Sequence, residues 1–138
     1  MRPAESILRV LCVDDNRDAA DTLGILLELV GFEARVCYDG KTALVAAEEF
    51  RPDAAILDLS MPGMTGDELG RLLRERPWAR QIPLVALTAL GDEEARRRTT
   101  AAGFDLHLTK PVSPDRLANV LADIVILRGD TVPTGGER

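Results

Sequence analysis

A chain of 138 residues with 46% hydrophobic and 29% charged residues carries enough apolar side chain for one globular domain, which excludes a disordered or fibrous polymer. A net charge of -6 and a pI near 4.8 work against a nucleic-acid partner, and the densest basic run, Arg96-Arg97-Arg98, reads as a solvated helix face. No apolar run reaches the about 18 residues of a membrane span, and Met1–Ser6 lacks the apolar core of a signal peptide.

Short apolar runs alternate with longer amphipathic stretches, the pattern of βαβ units. The first strand is expected at Leu8–Val13, and a helix at Asp18–Val30 that Gly31 stops. A second strand follows at Ala34–Tyr38, then a helix at Lys41–Phe50 that ends before Pro52. The third strand is Ala54–Leu57, and the third helix Gly66–Arg76, closed by Pro77. A fourth strand at Leu84–Leu87 leads to a helix at Asp92–Ala102, closed by Gly103. The fifth strand is Asp105–Leu108. The fifth helix is Pro114–Leu127, with Ser113 as its cap and Pro114 at its first position. Cys12 and Cys37 fall in predicted strands and read as buried free thiols of a reducing, cytoplasmic compartment. The sum is an α/β fold, a doubly wound five-stranded parallel sheet with five helices over residues 1–128, followed by a flexible tail at 129–138.

The chemistry-bearing residues stand where these strands end. Asp14 and Asp15 follow the first strand, Asp58 the third, Thr88 the fourth and Lys110 the fifth. Ligands of open parallel sheets collect outside the carboxyl ends of the strands. Three carboxylates, a hydroxyl and an ammonium would therefore share one crevice, provided the first and third strands are neighbours. An all-oxygen donor set without His or Cys suits Mg²⁺, with Mn²⁺ as the alternative. The plainer reading is that Asp14-Asp15 caps the first helix and Asp58 is an ordinary loop residue. That reading serves for one aspartate alone, less well for the whole set.

The set Val13-Asp14-Asp15-Asn16, Leu57-Asp58-Leu59-Ser60-Met61-Pro62-Gly63-Met64-Thr65-Gly66, Leu87-Thr88-Ala89 and Thr109-Lys110-Pro111 resembles the receiver domain of two-component response regulators over residues 6–127. The resemblance implies the strand order 2-1-3-4-5. It makes Asp58 the acceptor of a phosphoryl group from the phosphohistidine of a sensor histidine kinase or a histidine phosphotransfer domain. It makes Asp15, Asp58 and the Ser60 backbone carbonyl direct ligands of Mg²⁺, with Asp14 acting through water. Thr88, Lys110 and the backbone at Ser60 and Ala89 would receive the phosphoryl oxygens. Pro111 would follow a cis peptide. His107 would stand where many receivers carry Tyr or Phe, as the switch partner of Thr88; the plainer reading is a half-buried His with a satisfied ring nitrogen. Leu90 occupies a position that tunes hydrolysis, and leucine cannot orient a water, so a phosphorylated state that is not especially short-lived is expected.

Partner surfaces are suggested by excess apolar residues. The first helix carries Leu23, Leu26, Leu27 and Val30 on one stripe, together with Ile25 and Leu29. Either all are buried, or Ile25 faces out and docks the kinase bundle. The fifth helix is also richer in apolar residues than one face requires, which allows a homodimer or partner at the surface of helix four, strand five and helix five. Because the chain stops soon after the fifth helix, it is expected to be a single-domain regulator or a receiver detached from a hybrid kinase. It would be a switch that assists its own phosphorylation and dephosphorylation, not a turnover enzyme. The alternative is a Mg²⁺-dependent small-molecule phosphatase with an aspartyl intermediate, although such enzymes carry Asp-x-Asp after the first strand.

Overall fold

Residues 7–89 and 91–129 are described in a computed structural model, and five parallel strands organise them. These are β1 (Arg9–Val13), β2 (Glu33–Cys37), β3 (Ala54–Asp58), β4 (Leu84–Thr88) and β5 (Leu106–Thr109), in the order β2-β1-β3-β4-β5. The three central strands are covered on both faces, so they read as continuous apolar runs rather than alternating ones. Edge strands β2 and β5 are only part-buried. The order reverses between β1 and β3, which pair through Val10–Ala54 to Val13–Leu57. That reversal opens the crevice in which such sheets hold ligands.

Helices α1 (Arg17–Leu29) and α5 (Pro114–Leu127) cover one face, where Leu23, Leu27, Leu117 and Ile124 meet Cys12, Ile56 and Val85. Helices α2 (Gly40–Phe50), α3 (Gly66–Arg74) and α4 (Glu93–Ala101) cover the other, where Ala43, Leu69 and Ala95 share a core with Leu11, Leu57 and Ala86. Each of the five α-helices among the described residues starts on a side-chain cap. Asn16, Asp39, Thr65, Asp92 and Ser113 each accept a hydrogen bond from the backbone N–H three residues on. The caps hold the helix starts close against the strand ends, where the site lies.

Two arginine clamps tie the opposite end. Arg74 donates to the carbonyls of Ala79 (3.2 Å), Ile82 (2.6 Å) and Gly103 (2.9 Å), and pairs with Asp105 at 2.9 Å. The same Asp105 oxygen accepts the Leu84 N–H at 2.9 Å. Asp53, buried, accepts the Arg9 N–H at 2.7 Å and faces Arg128 at 3.4 Å. The amino ends of β1, β3 and β4 are thereby fixed, and the carboxyl ends are left for chemistry.

Several boundaries differ from expectation. Asp58, Thr88 and Thr109 were expected beyond the strands because they are polar, yet each is a ladder residue, with Asp58 opposite Leu87 and Thr88 opposite Thr109. The third helix stops at Arg74, and Pro77–Ala79 forms a 3-10 turn. Val30, expected in the buried stripe of α1, is instead its C-cap and is exposed, because the helix ends at Leu29 before Gly31 at φ 98°. Cys12 and Cys37 are buried and free. Arg96, Arg97 and Arg98 are exposed on α4. Met1–Ser6, Leu90 and residues 130–138, on which the signal-peptide, hydrolysis and tail expectations rest, lie outside the described residues. No helix among the described residues is long and apolar enough to cross a membrane.

Candidate functional site

Asp14 stands one residue past β1, but its N–H still bonds the Cys37 carbonyl at 3.2 Å, so the sheet holds it in place. Its Oδ1 accepts the Asn16 N–H at 3.0 Å. Its Oδ2 lies 3.4 Å from Lys110 Nζ. Asp58, the last residue of β3, places Oδ1 2.9 Å from the same ammonium and 3.4 Å from the Ser60 N–H. Asp14 and Asp58 are each only 2% exposed, whereas Asp15 faces solvent. One oxygen from each of the three carboxylates falls within 4.8 Å of the others.

Thr88 is buried at the end of β4, and its carbonyl accepts the Lys110 N–H at 2.9 Å. That bond couples the hydroxyl-bearing residue to the ammonium-bearing one. The Lys110–Pro111 peptide is cis, as the resemblance implied. Two glycines shape the loop after Asp58 in different ways. Gly63 sits at φ 82°, where a side chain is strained. Gly66 allows close approach: a Cβ there would fall 2.2 Å from the Asp58 carbonyl oxygen. The start of α3 is thus drawn up beneath the end of β3.

The electrostatics follow from burial. Removal from water pushes the Asp58 carboxyl up to about 6; Lys110 pulls it down and Asp14 pushes it up again. Burial alone would lower Lys110, but its bonds and charge attraction to Asp58 and Asp14 outweigh this and hold it above its ordinary value. Two carboxylates about 4 Å apart repel by about 4 kcal/mol at an effective dielectric near 20. Lys110 is shared between two of three such groups, which leaves room for a further cation. The donor set is entirely oxygen and fits Mg²⁺. A carboxylate held against an ammonium at an all-oxygen cation site has the chemistry of a nucleophile toward phosphorus.

Among the remaining expected residues, Ser60 and Ala89 are exposed just past β3 and β4. Ile25 is 60% exposed and faces outward. His107 turns toward α4: its Nε2 lies 2.6 Å from Thr99 Oγ1. Thr99 is fully buried, and its hydroxyl donates to the Arg96 carbonyl at 3.0 Å. Thr99 Oγ1 and His107 Nε2 share one hydrogen bond, whose donor is set by the imidazole tautomer. Burial, then the charge of Arg96, lowers the His107 pKa. Among the described residues no hydrogen bond joins His107 to Thr88. Thr99 escaped the sequence reading; its one signal is a polar residue four after Ala95, on the face of α4 that meets the sheet.

Comparison with known proteins agrees with this geometry. The response regulator receiver domain model matches residues 10–122. The phosphate regulon transcriptional regulatory protein PhoB of Rhizobium meliloti is 38% identical over 115 residues, 83% of this chain and 51% of that protein. The DNA-binding response regulator MtrA of Mycolicibacterium paratuberculosis is 39% identical over 109 residues, 79% of this chain and 47% of that one. The chain thus spans about half the length of these two relatives. A response regulator structure from Chloroflexus aurantiacus superposes with a TM-score of 0.83 at 32% identity, covering 88% of this chain and 99% of that one. The receiver domain of a sensor histidine kinase from Pseudomonas aeruginosa, with a magnesium ion in its active site cleft, gives 0.79 at 28% identity, covering 87% and 98%. Nothing here supports the small-molecule phosphatase alternative. Motif set, sheet order and the Asp14–Asp58–Lys110 cluster lead to one assignment: the chain belongs to the response regulator receiver domain family, the phosphoacceptor modules of two-component signalling.

Proposed function

We propose that Asp58 is the phosphoacceptor of this receiver and takes its phosphoryl group from the phosphohistidine of a sensor histidine kinase or histidine phosphotransfer domain. The observation that carries the reading is Lys110 Nζ, 2.9 Å from Asp58 and 3.4 Å from Asp14, at the switch point of the sheet. In the transfer, an Asp58 carboxylate oxygen bonds to phosphorus as the phosphorus–nitrogen bond breaks, and the bonding pair returns to the donor imidazole. Such a transition state is loose, and its charge lies on the equatorial oxygens. Lys110 neutralises one of these oxygens, and Thr88 donates its hydroxyl to another. The backbone N–H groups of Ser60 and Ala89 complete the cradle.

Asp14, Asp15, Asp58 and the Ser60 carbonyl would hold Mg²⁺. When bound, the ion supplies charge stabilisation to the phosphoryl oxygens. The all-oxygen cluster supports this, as does the magnesium in the Pseudomonas receiver. The chain acts as a switch: Thr88 moves toward the phosphoryl group and the surface of α4, β5 and α5 responds, with His107 in the strand between the two helices. Ile25, outward on α1, is offered to the kinase. The relative MtrA is named as DNA-binding; the net charge of -6 here argues against direct DNA contact by the shared region.

The test is intact mass after incubation with Mg²⁺ and acetyl phosphate, with Asp58→Asn in parallel. One phosphoryl group is expected on the wild type, none on the variant, and none when EDTA is present. Labelling of Asp58→Asn equal to the wild type would remove Asp58 from the role.

A further inference from the structure

The acidic crevice is flanked by both edges of the sheet. On one side Lys110, at the end of edge strand β5, supplies a cation. The other side, toward edge strand β2, is strongly acidic. From Val10 to Ala34 the chain carries Asp14, Asp15, Asp18, Asp21, Glu28 and Glu33, and Arg17 is its only basic residue. Arg17 opens α1 two residues after Asp15, so their Cα atoms are at most about 7 Å apart. Its exposed guanidinium lies over the ring of Tyr38, 4.1 Å from the ring centre. Tyr38 directly follows β2. Cys37 packs with the alanines of α2, so Tyr38, one residue on, turns to the opposite face and meets α1. There its hydroxyl donates to Asp21 Oδ1 at 2.5 Å. Asp21 stands four residues after Arg17, where a helical pair would form, but the phenol holds it instead. Among the described residues no carboxylate pairs with Arg17, and the ring is its partner. A stacked guanidinium keeps its edge, with the N–H fork, turned outward.

We propose that Arg17, fixed by Tyr38 and Asp21, is a steering cation that draws the anionic phosphoryl group of the donor into the crevice from the β2 side. The inference rests on the acceptor role of Asp58 proposed above. Three carboxylates against one ammonium leave the crevice net negative, so it attracts a divalent cation and repels a phosphoryl anion. A positive charge at its rim acts on both with opposite sign. At 0.1 M salt the Debye length is about 10 Å, so Arg17 is close enough to be felt. It speeds the approach of the donor and weakens the hold on Mg²⁺. The ring matters because an arginine without it would reach Asp21, and its charge would be cancelled there. Tyr38 occupies that carboxylate and shelves the guanidinium in one step. A clamp that merely tied β2 to α1 would have no such effect on ions in the crevice.

The experiment compares Arg17→Gln with the wild type in two assays on the whole chain. Titration with Mg²⁺, followed by amide NMR shifts, needs no phosphodonor. The variant is expected to bind the ion about two- to fivefold more tightly at low salt. The second-order rate of labelling by acetyl phosphate, read by intact mass, is expected to fall about two- to fivefold. Both differences should vanish near about 0.5 M NaCl, where the Debye length is about 4 Å. Arg17→Lys keeps the charge and should restore both values. Tyr38→Leu removes the shelf and should give part of each change with Arg17 still present. Mg²⁺ affinity unchanged by Arg17→Gln overturns the proposal. So does a labelling defect that persists at high salt, or one that Arg17→Lys leaves in place. A wild type that takes no label strikes the acceptor role of Asp58 instead, and the Mg²⁺ titration still decides whether Arg17 acts on the crevice.

Discussion

Replacing Asp58 by Asn is expected to stabilise the metal-free protein, although it removes the proposed acceptor. Asp58 is 2% exposed and shares its surroundings with Asp14. Its carboxyl is raised from 3.8 to about 6, with burial the largest cause. A carboxyl whose folded-state pKa lies above its unfolded value weakens the fold once it ionises. Its contribution is intact below 3.8 and is lost as pH rises through about 6. A shift of this size corresponds to about 3 kcal/mol at neutral pH. The pull of Lys110 is already contained in that shift, but the asparagine amide brings a buried N–H donor beside the Lys110 ammonium, which offsets about 1 kcal/mol. A net gain of about 1–2 kcal/mol remains, or about 3–8 °C in Tm. Urea denaturation in EDTA at pH 7.5 and pH 4.5 measures it. The gain should shrink by about 2 kcal/mol at the lower pH, where the wild-type carboxyl is largely protonated. Excess Mg²⁺ at pH 7.5 should erase it by stabilising the wild type alone. An Asn variant no more stable than wild type at pH 7.5, or a gain equal at both values, would refute the electrostatic reasoning.

Lys110→Met should lower the rate of Asp58 phosphorylation by about 10²–10³-fold, since one preorganised cation at a developing phosphoryl charge contributes that much; time-resolved intact mass reads it. Arg74→Ala strips donors from three carbonyls and a charge from Asp105, so urea denaturation should show a loss of about 2–4 kcal/mol while labelling of Asp58 at 25 °C is unchanged. The single histidine allows a clean NMR titration: His107 should titrate below its ordinary 6.5, and Arg96→Gln should raise it by removing a neighbouring positive charge. A His107 pKa at or above 6.5 in the wild type would mean that the ring is not seated against α4.

Much of this was legible in the chain itself. The alternation of apolar runs and amphipathic stretches specified five βα units, because burial on both faces leaves a central strand no polar position. Asp14, Asp58, Thr88 and Lys110 were recognisable because each breaks an apolar run at the end of a strand, where a parallel sheet gathers its chemistry. Chain stops at Gly31 and Gly103 and the Ser113 cap were readable from local backbone demands. Three features were not. Polar residues at the strand ends looked like loop, and only lateral pairing shows them to be ladder residues. Thr99 has no local mark of importance; it matters because β5 packs beneath α4 and brings His107 to 2.6 Å. The excess apolar residues of α1 could be divided into inward Leu23 and Leu27 and outward Ile25, Leu29 and Val30 only once the sheet set the helix's rotation. Local sequence dictates which element forms and where it stops, since those are contests among neighbouring residues. Which faces meet, and hence which cation lies between which carboxylates, depends on residues up to 96 positions apart, Asp14 and Lys110 among them, and the assembled sheet alone decides it.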